Sequence, residues 1–107
     1  MINKREMDAS KVKIECETPT PGKKSTRIHK WKYDMISEVI LDLLPVGGEG
    51  VLFKNLAELV SQRLDNAAKG RIGSIGWYTT TVKLDLECKK RIFRIPGSSP
   101  QRLLKTE

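Results

Sequence analysis

Between Ser74 and Arg94 the chain sets hydroxyls and cations at helical spacing, in Ser74, Thr79, Thr80, Lys83, Lys89, Lys90, Arg91 and Arg94. Side chains three or four residues apart share a helix face. Hydroxyl, ammonium and guanidinium groups on one face are the chemistry that meets phosphate oxygens and base edges. Other chemistries have little material. His29 is the single histidine, so acid–base work has no partner imidazole and no His/Cys cluster has metal-ligand spacing. Cys16 and Cys88 lie far apart in a chain whose opening residues lack the order of a signal peptide. Two unpaired thiols in a reducing, cytoplasmic setting are therefore expected. With no phosphate-cradling glycine motif and no paired acid–base constellation, the reading is a non-enzyme without cofactor or metal.

The charge pattern points the same way. The net charge of +7 over 107 residues is segregated along the chain. Residues 1–32 carry nine Lys/Arg against four Asp/Glu, residues 33–68 two against six, and residues 69–107 nine against three. A cationic excess gathered at both ends creates a local potential that steers a polyanion. The alternative is an ordinary solvated surface with a Lys-rich tail. No apolar run approaches the length of a membrane span, so a soluble protein is expected.

These groups must be positioned by one domain, since 107 residues make one core. Residues 1–26, with Pro19, Pro21 and Gly22 and few large apolar side chains, read as a flexible basic arm; alternation of Val12, Ile14 and Cys16 allows one short edge strand within it. The domain itself takes residues 27–107. Met35, Ile36, Val39, Ile40, Leu43 and Leu44 repeat at three and four, a helix stopped by Pro45. Val51 to Phe53 suit a short strand, and Leu56, Leu59, Val60 and Leu64 line a second helix. Asn66 to Gly76, with three glycines, reads as a connection. Ile75 to Lys90 is ambiguous: Val82, Leu84 and Leu86 alternate like a strand, whereas Tyr78, Val82 and Leu86 repeat like a helix. Ser74 as an N-cap and the cations at the far end favour a third helix over 74–91. Ile92 to Ile95, a Pro-Gly-Ser-Ser-Pro turn and Arg102 to Leu104 complete a hairpin.

Helix, short strand, helix, turn, helix and basic hairpin is the element order of a three-helix winged helix-turn-helix, an α+β fold, mostly helical, with a C-terminal wing. The stretch WYTTTVKLDLECKKRIFRIP, Trp77 to Pro96, resembles the recognition helix, Leu-Glu exit and first wing strand of winged-helix regulators. It is similar to a family of small uncharacterised bacterial winged-helix proteins with a Trp-Tyr-x-x-x-Val-Lys-Leu-Asp-Leu-Glu signature and a Pro-Gln-Arg wing, over about Pro21 to Leu104. The resemblance includes Pro21, Gly22 and Lys23 of the arm. Where such families often carry glycine between the third helix and the wing, this chain has Lys90.

On this architecture the third helix is expected to read the major groove of double-stranded DNA while the wing meets the backbone, as a transcription regulator would. If Tyr78, Val82 and Leu86 point inward, Thr79, Thr80 and Lys83 point out. Lys89, Lys90, Arg91 and Arg94, with Arg102 from the returning strand, would meet phosphates, joined by Lys23, Lys24 and Arg27 of the arm. Neutralising four to six phosphates gives a salt slope of about −4 to −5. Plainer readings stand beside these. Trp77 and Tyr78 suit the core better than a base stack, the Thr79–Thr81 run suits a helix start, and Lys83 with Glu87 suits a surface ion pair. Trp31 and Tyr33 are expected to anchor the first helix. The alternative function is a winged-helix protein-interaction or dimerisation module. A homodimer would double the contact with DNA.

Overall fold

A computed structural model describes residues 11–107. The first ten residues of the expected arm lie outside the described residues. The chain is α+β, with four helices and two small antiparallel sheets among those residues.

Strands β1 (Lys13–Cys16) and β2 (Thr26–His29) pair antiparallel, Ile14 opposite Ile28 and Cys16 opposite Thr26. The expected edge strand thus pairs with the first residues of the domain, across the expected boundary at 26, and Pro19, Pro21 and Gly22 form the loop between them. Gly22 sits at φ 79°, where a side chain is disfavoured. Cys16 and Ile28 are the inward residues of the pair.

Helix α1 (Lys30–Leu43) follows directly and stops where Pro45 has no amide to offer. Its inner stripe is Tyr33, Ile36 and Ile40. A turn through Gly47, Gly48 and Gly50 leads to β3 (Val51–Leu52), and Gly50 is fixed there by geometry. Its φ is 72°, and a Cβ would lie 2.5 Å from the Leu103 carbonyl oxygen. Helix α2 (Phe53–Arg63) buries Leu56 and Val60.

The glycine-bearing connection expected at 66–76 is instead a fourth helix, α3 (Asn66–Ile72). Asp65 caps it, its carboxylate accepting the Ala68 amide at 2.7 Å. Ile72 is its buried anchor. The turn beyond is closed by Lys32, whose ammonium donates to the Ile72 carbonyl at 2.9 Å and to the Tyr78 hydroxyl at 3.2 Å.

Helix α4 (Ile75–Cys88) occupies the segment whose periodicity was ambiguous. Ser74 caps it, accepting the Trp77 amide at 3.3 Å. It ends in a Schellman turn: Lys90 N–H reaches the Glu87 carbonyl, Arg91 N–H reaches the Leu86 carbonyl, and Lys90 adopts φ 59°. The residue standing where glycine is usual thus takes the left-handed conformation that glycine would supply. Strands β4 (Ile92–Arg94) and β5 (Arg102–Lys105) follow, and β5 lies between β3 and β4, with Leu103 opposite both Val51 and Arg94. The helices and this sheet enclose one core of Ile36, Ile40, Leu56, Val60, Ile72, Val82, Leu86, Ile92 and Leu103, each essentially inaccessible.

Candidate nucleic-acid interface

Helix α4 was expected to turn Thr79, Thr80 and Lys83 outward, and the structure divides them. Thr80 is exposed. Thr79 and Lys83 are each 1% exposed, which corrects their assignment as groove contacts. The physical reason is that the buried face of α4 is wide, taking in Thr79, Val82, Lys83, Asp85 and Leu86.

Lys83 tolerates burial because its ammonium pairs with Glu87 at 2.8 Å and lies 4.4 Å from the Phe53 ring centre. Burial pulls its pKa below the ordinary lysine value, and Glu87 opposes that shift. Glu87 also receives Arg94 at 2.6 Å, so strand β4 is tied to α4 through a carboxylate shared by two cations. The ion-pair reading of Lys83 with Glu87 therefore holds, at a buried and not a surface site.

On the opposite flank Asp85 is fully buried. Its carboxylate accepts the Tyr33 hydroxyl at 2.5 Å, the Lys89 ammonium at 2.6 Å and the Glu17 backbone amide at 2.9 Å. Burial alone would raise the Asp85 pKa; Lys89, Tyr33 and the Glu17 amide outweigh it and hold the carboxyl below its ordinary value. Burial first and Asp85 next push Tyr33 up to about 12. Burial, then Asp85, push Cys16 up to about 11, so this thiol is inert at neutral pH. The network docks the β1–β2 hairpin on α4. Lys89, predicted as a phosphate contact, belongs to it, although its side chain remains 46% exposed.

What α4 leaves open is a strip along its first turns. Gly76, Trp77 and Thr80 face solvent, with Trp77 48% exposed where the sequence favoured core. The Tyr78 ring braces the indole edge-on, with centroids 4.9 Å apart. Beside this strip the hairpin loop forms a groove of about 270 Å³, with Glu17, Lys23 and Lys24 on one wall and Trp77, Thr80 and Leu84 on the other. Farther along α4, Pro19, Thr20 and Pro21 of the same loop stand over Glu87 and Arg94. Lys23 and Lys24 carry no ion pair among the described residues.

The remaining predicted cations are spread. Lys90 and Arg91 are exposed in the turn after α4, Arg94 is exposed on β4 but paired with Glu87, and Arg102 is half-buried on β5. The structure thus brings together Trp77 and Thr80, adds Lys23 and Lys24 from the hairpin, and leaves Ser74, which caps α4, and Arg102 out of the groove lining. The hairpin wall was missed as a structured partner of α4; its signal was the Val12, Ile14 and Cys16 alternation followed by the proline break.

Among the described residues no group of three His, Cys, Asp or Glu is placed to hold a metal ion, and no helix is long and apolar enough to cross a membrane. No curated protein and no solved structure matches the chain. A family model described as a family of unknown function, DUF6958, matches residues 13–103. That span runs from the first residue of β1 into β5 and takes in the β1–β2 hairpin and the four helices, and the chain belongs to the DUF6958 family.

Proposed function

We propose that the protein is a winged-helix DNA-binding protein, acting in transcription regulation, with a contact face smaller than a whole recognition helix. The element order α1, β3, α2, α3, α4, β4, β5, with β5 between its neighbours, supports the winged-helix reading. The carrying observation is the open strip of α4, Trp77 and Thr80, walled by two unpaired ammonium groups on Lys23 and Lys24. Lys90 and Arg91 extend the cationic surface at the far end of the helix. Arg94, with half its side chain in solvent, can exchange Glu87 for a phosphate.

Burial of Lys83 and pairing of Lys89 and Arg94 reduce the phosphates engaged to two to four. The expected salt slope for a duplex is then about −2 to −4, shallower than the unpaired count implies. Fluorescence anisotropy of labelled DNA across a salt series tests this, alongside the double variant Lys23→Glu, Lys24→Glu. The reading requires salt-dependent binding that the double variant weakens at least tenfold; binding without salt dependence, or none, refutes it.

A second reading has its own observation. Trp77 and Phe93 are large apolar side chains 48% and 41% exposed, as in a protein-interaction or dimerisation module. On that reading Trp77→Ala abolishes self-association in sedimentation while charge reversal at Lys23 leaves it intact.

A further inference from the structure

The outer surface of α4 is narrower than a bare helix would offer. Leu84 points directly away from the core residues Val82 and Leu86, yet it is half-buried, because the loop between β1 and β2 runs alongside it. A helix with its side chains is about 10–12 Å across, and the major groove of B-DNA is about 12 Å wide. A helix flanked by a loop that is fastened to it through Asp85 and the Glu17 amide exceeds that width. The groove between them, about 270 Å³, has room for a single nucleobase.

We propose that this groove takes an unpaired base of single-stranded DNA, stacked on Trp77, with the adjoining phosphates on Lys23 and Lys24. The proposal rests on the DNA-binding reading and names the form of DNA. Stacking on an aromatic face tolerates any base, since every base has a π-face. The Trp77 indole is accessible for this and is held in orientation by Tyr78. The hydroxyls of Thr80 and Thr81 line the same wall and can donate to or accept from a base edge. Glu17 repels phosphate and accepts a base N–H, the N3–H of thymine included, so it sorts base edge from backbone within the groove. In closed duplex DNA neither the base face nor a single flexible backbone is available to this arrangement.

The test uses full-length protein carrying Trp31→Phe, so that Trp77 is the sole indole. An oligothymidylate of about 12 nucleotides, within the range such grooves occupy, is compared with a duplex of equal length at one salt concentration. The expected result is quenching of Trp77 emission by the single strand and affinity at least tenfold above that for the duplex. Trp77→Ala then weakens single-strand binding about 5- to 150-fold, the ratio equivalent to the usual stacking energy per base, with Trp77→Phe intermediate. Circular dichroism melts check that each variant is folded. Duplex bound as tightly as the single strand, or Trp77 emission unmoved by a bound single strand, overturns the proposal and leaves the DNA-binding reading standing. Binding of neither form overturns both.

Discussion

Replacing Asp85 by asparagine preserves volume and removes one charge, and it isolates the joint that holds the hairpin to α4. The carboxylate is inaccessible and receives a tyrosine hydroxyl, an ammonium and a backbone amide. Hydrogen bonds to a buried charged group contribute about 1.5–3 kcal/mol each. The Lys89 arm deserves a smaller share, since its side chain is 46% exposed and water replaces the partner. An asparagine oxygen placed where Oδ2 stood keeps the Tyr33 hydroxyl and leaves its NH2 facing the Glu17 amide, so the net loss is about 2–4 kcal/mol. Against a total stability of about 5–15 kcal/mol this is a large fraction, and it lowers Tm by about 10–20 °C. Urea unfolding measures the first quantity and calorimetry the second. Amide hydrogen exchange supplies the specific readout. Glu17 N–H is held by Asp85 from a distant part of the chain, so its protection should vanish in Asp85→Asn and persist in Tyr33→Phe, which removes a different arm of the network.

The pH dependence of the same variant follows from linkage. The folded-state pKa of Asp85 is depressed, so its stabilisation is fully present above the unfolded value of about 3.9 and disappears as pH falls through the folded value. The stability gap between the native protein and Asp85→Asn must therefore be widest near neutral pH and close in acid. A stability loss below about 0.5 kcal/mol, unchanged exchange at Glu17, or a gap that widens on acidification would refute the argument.

Three further substitutions probe particular positions. Lys90→Gly relieves a left-handed residue in the turn after α4 and should stabilise by about 0.5–1 kcal/mol in urea unfolding, with no change in the helix content. Gly50→Ala forces a Cβ against the Leu103 carbonyl at a positive φ, and should cost at least about 2 kcal/mol with loss of exchange protection across β3 and β5. Glu87→Gln strands the Lys83 ammonium inside the protein and should cost about 2–4 kcal/mol, while the same change in a Lys83→Met background should cost less than half of that, because a neutral side chain of similar length needs no partner.

The legible parts of the fold are those whose side chains follow a single period. In α1 and α2 one stripe faces the core and the polar residues between are solvated, so Ile36 and Ile40, or Leu56 and Val60, were assigned inward from spacing alone. The turn between β4 and β5 was legible from Pro96 and Gly97. Helix α3 was not, because Ala67, Ala68 and Gly70 give it no stripe and its anchor is the single residue Ile72; its cap, Asp65 three residues before Ala68, was the available signal. Strand β2 buries Ile28 alone between Arg27 and His29, too little alternation to show a period of two. In the site, Thr80 and the cap Ser74 were legible, whereas Thr79 and Lys83 were turned outward because a polar side chain is taken as a surface one. The position of Glu87 four residues beyond Lys83 marked how that lysine could be buried.

The ambiguity of the α4 segment has a structural meaning. Val82, Leu84 and Leu86 alternate, and a lone amphipathic helix has no use for apolar residues on opposite sides. Here both sides are covered: Val82 and Leu86 face α1 and α2, and Leu84 faces the hairpin loop. The pattern that resembles a strand is therefore the mark of a helix packed from two directions. The same covering explains why cationic residues counted along this segment overstate its attraction for phosphate. Lys83, Lys89 and Arg94 each neutralise a carboxylate of α4 itself. Of the site cations named above, among the described residues, those left for a ligand are Lys23 and Lys24 in the hairpin and Lys90 and Arg91 in the turn. A ligand that follows the charge must approach along the loop and not along the helix axis, and the first large exposed side chain it meets there is Trp77.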